Sequence, residues 1–393
     1  MLQIFSRYQY FGGEERCVYR IGDALETLFD VENFLASTKD LLGENPLEKI
    51  KLPFRMLHNS AISKQLVQHQ KVGRFDLWQV HNVFPAMSPS VYTTARKMGI
   101  PIVQYLHNYR LSCVNGFFLN HGSPCQRCIG GNFLPALLTG CWHTSRVSSG
   151  AMGLVMTRVR MLGVFDQIAR YVAISEKQKE IHIKMGIPTE KIDVIYHFYE
   201  AAGPPLPVCV DGNALFIGRL SPEKGGMVLL EAWRQLSEPS RKLYIVGEGP
   251  EEKKMQDFCV LHGLKNVYFT GFLDEAGQKE IWEKTAFVIV PSIWEEPFGL
   301  VLLEAWSKGR AIISHRIGAL TELVEHGKTG ILCEADQPET LAAAIQHYFQ
   351  YPLEAVEAGR AGYDCVLDKF SKNKWMENIR QVYEKLGIKA ATV

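Results

Sequence analysis

The sequence lacks any large excess of charge, any long apolar run and any clean dinucleotide fingerprint, and each absence removes a class of protein. Lys and Arg number 43 against 42 Asp and Glu, a net charge of +1, so there is no global electrostatic case for a nucleic-acid partner. No apolar run reaches the roughly 18 residues of a membrane-spanning helix. Residues 1–13 lack the apolar middle and small-residue exit of a signal peptide and read as a strand entering a loop. The expected location is therefore the cytoplasm, with contact at the inner face of a membrane kept as an option. No internal repeat, low-complexity tract or charge block occurs. The nine cysteines are an odd number, and five are scattered singly, which argues against a secreted disulfide framework. No G-x-G-x-x-G with a downstream acid follows the first strand, which weakens a NAD-dependent oxidoreductase.

What is present is a globular composition, 47% apolar and 22% charged over 393 residues. That length predicts two domains of roughly 180 residues each. Short apolar runs at 2–5, 77–80, 102–106, 171–174 and 192–195 read as buried strands, with helical periodicity at 88–98 and 176–185. Residues 201–212 (AAGPPLPVCVDG) hold three prolines and two glycines and read as a linker. The alternation then restarts, with strands expected at 214–217, 242–246, 267–270, 287–290 and 311–314. Helices are expected at 228–235, 251–262, 278–284, 300–308 and 338–350, and a last amphipathic one at 371–386. This pattern predicts an α/β protein of two Rossmann-like domains with parallel sheets facing across a cleft. The domains are expected at 1–200 and 213–370, with 371–393 as a C-terminal helix that crosses back.

Chemistry concentrates in the second half. PSIWEEPFGLVLLEA (291–305) reads as a strand end, a tight Pro-Phe-Gly loop and an apolar helix. The helix start at Phe298, Gly299 and Leu300 offers backbone N–H groups and partial positive charge to a phosphate. Glu296 and Glu304 flank that start, and a carboxylate accepts two hydrogen bonds from a vicinal diol. FIGRLSPEKGG (216–226) places Gly218, Arg219 and Lys224 at another strand end, where the two cations suit a diphosphate. VGEGP (246–250), with Gly249, is a third glycine-rich strand end, and Gly318 and Gly330 are expected to close a strand and a turn.

Taken in order and spacing, these segments resemble the donor-binding domain of glycosyltransferase family 4, retaining enzymes of the GT-B fold. G-R-L-S-P-E-K-G at 218–225, G-E-G-P at 247–250 and E-P-F-G-L-V-L-L-E at 296–304 carry the likeness. The resemblance implies a nucleoside diphosphate sugar as donor, with Arg219 and Lys224 on its diphosphate, Glu304 on the ribose and Glu296 on the transferred sugar. Backbone amides around 298–300 would meet the distal phosphate and sugar. It implies no obligatory catalytic metal, since no DxD-like motif is placed to chelate the diphosphate. Gly318-Ala319 stands where the family carries Gly-Gly, which puts donor preference in question.

In the first half, Gly12 and Gly13 permit a loop whose N–H groups cradle an anion or approach a sugar. His81 and His107 each follow a strand. The His107-Asn108-Tyr109-Arg110 segment resembles one in the family that gives His107 a sugar-contacting role, with Asn108 where Asp is common. Cys113, Cys125, Cys128 and Cys141 follow, a CxxC pair with one cysteine on each flank. They leave three states open: a structural zinc, reduced thiols or a disulfide. The stretch 134–166, with Arg146, Arg158 and Arg160, suits anionic lipid headgroups or a lipid-linked acceptor, or an amphipathic helix packed on the sheet. Tyr196-His197 replaces the family's Pro-Asn. The expected reaction is hexose transfer to a sugar or lipid-linked glycan acceptor, in polysaccharide or lipopolysaccharide biosynthesis. The competing readings are a sugar-nucleotide epimerase or hydrolase, and a silent binding protein.

Overall fold

A computed structural model describes residues 1–7, 12–37, 54–207, 209–236 and 240–390. The chain forms two compact units. The first comprises Met1–His121, Cys125–Ile195 and the chain end from Met376; the second comprises Gly122–Pro124 and Tyr196–Trp375.

The first unit carries β1 (Leu2–Arg7), β2 (Glu32–Ser37), β3 (Trp78–Val80), β4 (Ile102–Leu106), β5 (Arg170–Ala173) and β6 (Ile192–Val194). They lie in the order β2-β1-β3-β4-β5-β6, all parallel. The inner strands are almost wholly buried: β1 keeps Leu2, Ile4 and Phe5 from solvent, and β4 buries every residue. Such continuous apolar runs are what a parallel sheet covered on both faces needs. β2, at the edge, buries only Phe34 fully, and its mixed polarity hides it from an apolar-run search.

The second unit holds β7 (Asn213–Ile217), β8 (Leu243–Val246), β9 (Val267–Gly271), β10 (Thr285–Val290), β11 (Ala311–His315) and β12 (Gly330–Cys333). Their order is β9-β8-β7-β10-β11-β12, again all parallel. One core spans the sheet and its helices, from Phe216 and Ile245 through Phe287 and Ile313 to Leu341 and Tyr348. Gly330, expected in a turn, instead opens β12. It lies so close to β11 that a Cβ there would stand 2.4 Å from the Ile312 carbonyl oxygen. Several expected helices lie within a few residues of their predicted bounds, among them Pro338–Gln350. Gly13–Leu25, Ser60–Gly73 and Pro352–Lys369 are further helices that periodicity did not single out.

The proline-rich stretch after residue 200 is tied to the second unit. Leu206 N–H donates to Lys308 O at 3.2 Å, and Tyr363 Oη donates to Gly203 O at 3.0 Å. The last helix, Lys372–Glu384, starts in the second unit and ends in the first. There Ile379, Val382 and Tyr383 are buried, and the Tyr383 hydroxyl donates to Gln79 Oε1 on β3.

Candidate active site

In the second unit the strand order reverses between β7 and β10, and such a switch point opens a crevice at the carboxyl ends of the strands. The loops after β7 and β10 meet there. Ile293 N–H donates to Glu223 O at 3.0 Å, and Ala319 N–H, after β11, donates to Glu296 O at 2.8 Å. Leu220 N–H donates to Glu248 O at 2.9 Å, which joins the Gly218 strand end to the Gly249 loop. Two glycines make this packing feasible. Gly225 (φ 70°) and Gly318 (φ 53°) are left-handed. A Cβ on them would stand 1.8 Å from Pro291 O and 2.4 Å from Glu296 N. Ala319 needs neither concession: it is fully buried and right-handed at φ −66°, so its methyl group fits the core.

These ties bring Lys224 to Glu296. Lys224 Nζ donates to Glu296 Oε2 at 2.9 Å, as does Trp294 Nε1 at 2.9 Å, and Ser292 Oγ donates to the same oxygen at 3.0 Å. All three donors converge on Oε2 of a carboxylate that is only 6% exposed. Among the described residues no donor reaches Oε1, so this oxygen keeps its lone pairs for another partner. The Lys224 ammonium also lies 5.4 Å from the centre of the Trp294 ring, an arrangement that steadies a cation. Beneath the loop, His315 Nδ1 donates to Ser292 O at 3.0 Å. Burial holds His315 below its ordinary pKa, so it anchors Ser292 as a neutral ring.

Arg219 does not share that contact. Its guanidinium pairs with Glu223 at 2.5 Å, and Ser221 Oγ donates to the same carboxylate oxygen at 2.7 Å. Burial opposes the Glu223 charge, but Arg219 and Ser221 outweigh it and hold this carboxyl below its ordinary pKa. Arg219 stays about half exposed. The helix Leu300–Ser307 begins behind Gly299 at φ 95°, with no side-chain cap on its first turn, and Glu304 stands in its second turn. Phe298 is buried under Tyr196 and His197, whose rings lie 6.2 and 5.1 Å from it. The two residues that depart from the Pro-Asn pattern thus brace the loop carrying Phe298.

In the first unit, His81 and His107 form one relay. Tyr383 donates to Gln79 Oε1, so the amide nitrogen of Gln79 faces His81 Nε2 at 3.1 Å and donates to it. His81 then carries its proton on Nδ1 and gives it to His107 Nε2 at 2.7 Å. Burial pushes the His107 pKa down to about 3. His107 is therefore a neutral ring with Nδ1–H as its donor. A cavity of about 20 Å³ lies here, lined by His81, His107, Asn108, Arg110 and Glu14 among others. Asn108 Nδ2 donates to Glu14 Oε2 at 2.9 Å. Gly12 and Gly13 are exposed, and among the described residues a Cβ on either would meet nothing within 4 Å. Tyr8–Phe11, the rest of that motif, lie outside the described residues.

Cys113, Cys125, Cys128 and Cys141 line a second cavity of about 20 Å³. All four are free thiols, and among the described residues no three His, Cys, Asp or Glu are grouped closely enough to hold a metal ion. Cys113 Sγ instead donates to Asn115 Oδ1 at 3.0 Å, and burial raises the Cys128 thiol to about 11.

Sequence reading singled out Glu296, Lys224 and His107 but missed what holds them. Ser292 and Trp294 lie inside the 291–305 segment without a role having been read for them, and Gln79 and Tyr383 belong to no local motif of their own. Glu223, which opposes Arg219, falls within the S-P-E-K turn and was legible there as an acid beside two cations.

Two family models match the chain. "Glycosyltransferase Family 4" matches residues 11–202 and "Glycosyl transferases group 1" matches 211–350. D-rhamnosyltransferase WbpZ of Pseudomonas aeruginosa is 30% identical over 179 residues, 45% of this chain and 44% of that protein. The glycogen synthase of Mycobacterium tuberculosis is 29% identical over 242 residues, 60% of this chain and 58% of that one. The match thus spans about half the length of these curated relatives. Among solved structures, Anabaena HepE, crystallised with UDP and glucose, superposes over 98% of each chain with a TM-score of 0.68 at 19% identity, a likeness of fold. No helix among the described residues is long and apolar enough to cross a membrane. With both units matched by glycosyltransferase models, and the site motifs inside the matched spans, the chain belongs to glycosyltransferase family 4.

Proposed function

We propose that the chain transfers a hexose from a nucleoside diphosphate sugar to a sugar or lipid-linked glycan acceptor, with retention at the anomeric carbon. The setting is cytoplasmic, in polysaccharide or lipopolysaccharide biosynthesis, with peripheral contact at the inner face of a membrane. One observation carries the reading: a buried carboxylate, Glu296, whose Oε2 is saturated by three donors while Oε1 is open, sits beside an uncapped helix start. Oε1 takes a hydroxyl of the donor sugar. Ser292 and Trp294 keep Oε2 satisfied when Lys224 turns toward the diphosphate.

In the transition state positive charge grows on the sugar and negative charge on the leaving diphosphate. Lys224, Arg219 and the amides at Phe298, Gly299 and Leu300 stabilise the latter, and Glu304 grips the ribose. Gly218 and Gly249 form the floor of this site, and Gly12 and Gly13, in the first unit, offer backbone N–H groups to an anion or a sugar. His107, a neutral donor, orients a sugar hydroxyl. No residue is assigned as a covalent nucleophile. The two cations act in place of a divalent ion, so turnover persists in a chelator.

A panel of UDP-, GDP- and ADP-sugars tests the proposal by thermal stabilisation. One donor raises the melting temperature of the wild type, and Lys224→Ala and Glu304→Ala remove that rise. Undiminished stabilisation and activity in both variants reject the site. Incubation with donor alone, followed by analysis for free sugar or an epimer, separates transfer from hydrolysis or epimerisation.

A further inference from the structure

A pair of helices in the first unit shows solvent an apolar band that its own fold does not cover. In Leu134–Thr139 and Arg146–Met161, Leu134, Leu138, Val147, Leu154 and Met161 are between 54% and 83% exposed, and Leu137 is 39% exposed. The longer helix has already met its packing need on the opposite side, where Met152, Val155, Met156 and Val159 are buried. Val147, Leu154, Arg158 and Met161 recur at intervals of seven, four and three residues, which keeps them on one stripe. The shorter helix lies against that stripe. A Cβ on Gly150 would stand 2.9 Å from Leu137 Cδ1, and one on Gly153 would stand 3.1 Å from Phe133 Cβ. Leu137 therefore sits at the level of Gly150, one turn from Val147 and one turn from Leu154. The six side chains form one band, far from the scattered single residues that need no explanation.

The charge along this stretch of the chain has one sign. Between Asp76 and Asp166 the sequence contains no Asp or Glu, while it contains Arg96, Lys97, Arg110, Arg127, Arg146, Arg158 and Arg160. Arg127, Arg146 and Arg158 are exposed. A net charge of +1 for the whole chain conceals this segregation. We infer that the two helices lie in the interface of an anionic phospholipid bilayer, with the leucines among the acyl chains and the arginines at the headgroups. A second copy of the chain fits less well, because a face-to-face pair would set Arg146 and Arg158 against their own counterparts. The inference deepens the membrane part of the reading above and stands without its transfer chemistry.

Flotation of the full chain with vesicles tests it. Phosphatidylcholine vesicles containing phosphatidylglycerol should carry the protein, pure phosphatidylcholine vesicles should carry little, and high salt should weaken the binding. Leu138→Glu/Leu154→Glu and Arg146→Glu/Arg158→Glu should each lower the partition coefficient roughly tenfold or more. Val260→Glu, at a position 83% exposed in the second unit, should change nothing. The sites are exposed, so the variants should melt as the wild type does and keep their stabilisation by nucleotide sugars, a readout that belongs to the transfer reading alone. Absence of binding to anionic vesicles, equal binding to both vesicle types, or unaltered binding by both double variants overturns the inference. So does a dimer that dissociates in Leu138→Glu/Leu154→Glu while vesicles bind nothing.

Discussion

At the scale of single residues, the asymmetry of the Glu296 carboxylate matters most. Three donors hold Oε2, so the side chain cannot rotate freely and Oε1 keeps a defined direction. In Glu296→Gln the shape survives and the charge does not. The amide nitrogen must face either the three donors or the sugar, and it can accept from neither. Turnover with the stabilising donor should fall on the order of 100-fold, while the melting temperature without donor stays near that of the wild type. Steady-state kinetics beside a thermal melt checks both halves. Glu296 and Lys224 were legible as members of spaced motifs. Their contact was not, because 72 residues separate them.

Among the elements, the strand ends matter more than the strands. The loops after β7, β10 and β11 approach so closely that Gly225 and Gly318 have no room for a Cβ. Gly225→Ala must both adopt a left-handed backbone and push against Pro291 O. It should cost about 1–3 kcal/mol or more and weaken donor binding with it. Gly12→Ala meets nothing within 4 Å among the described residues, on an extended backbone that any residue adopts, and should leave the denaturant midpoint unchanged. Comparing the two midpoints decides whether the glycines act by the same means. The buried inner strands were readable because most residues in them are apolar, with single buried polar residues such as Gln3, Gln79 and Gln104 between. The edge strands β2 and β12 were not, since one face or one end meets solvent and polar residues or glycine enter the run. The helix Gly13–Leu25 was masked by the glycine pair that opens it.

For the whole molecule, buried histidines set a dependence on acid. Burial lowers His107 to about 3 and His182 to about 4, against an ordinary value of about 6.5 in the unfolded chain. Below that value the unfolded chain takes up protons that the folded chain refuses, so stability falls as pH drops from about 6.5 toward 4. At pH 5 the fully buried His182 alone should cost about 2 kcal/mol relative to neutral pH. Urea midpoints at pH 7.5 and pH 5 should differ in that direction, and His182→Gln should reduce the difference. An equal midpoint at both values would contradict the burial of these rings.

The sequence alone established what depends on near neighbours in the chain. The alternation of apolar runs with helical periodicity specified two parallel α/β units, because a strand buried on both faces is apolar at most of its positions. The glycine-punctuated strand ends marked the loops that meet around Glu296. Only the tertiary structure decided which donors meet which acceptors. Tyr383 reaches Gln79 from 304 residues away, Trp294 and Ser292 turn to one oxygen of Glu296, and the four cysteines line one cavity. It also decided that one side of the Arg146–Met161 helix remains uncovered. Such meetings depend on strand order and on close packing between distant segments, and no local pattern of residues encodes either.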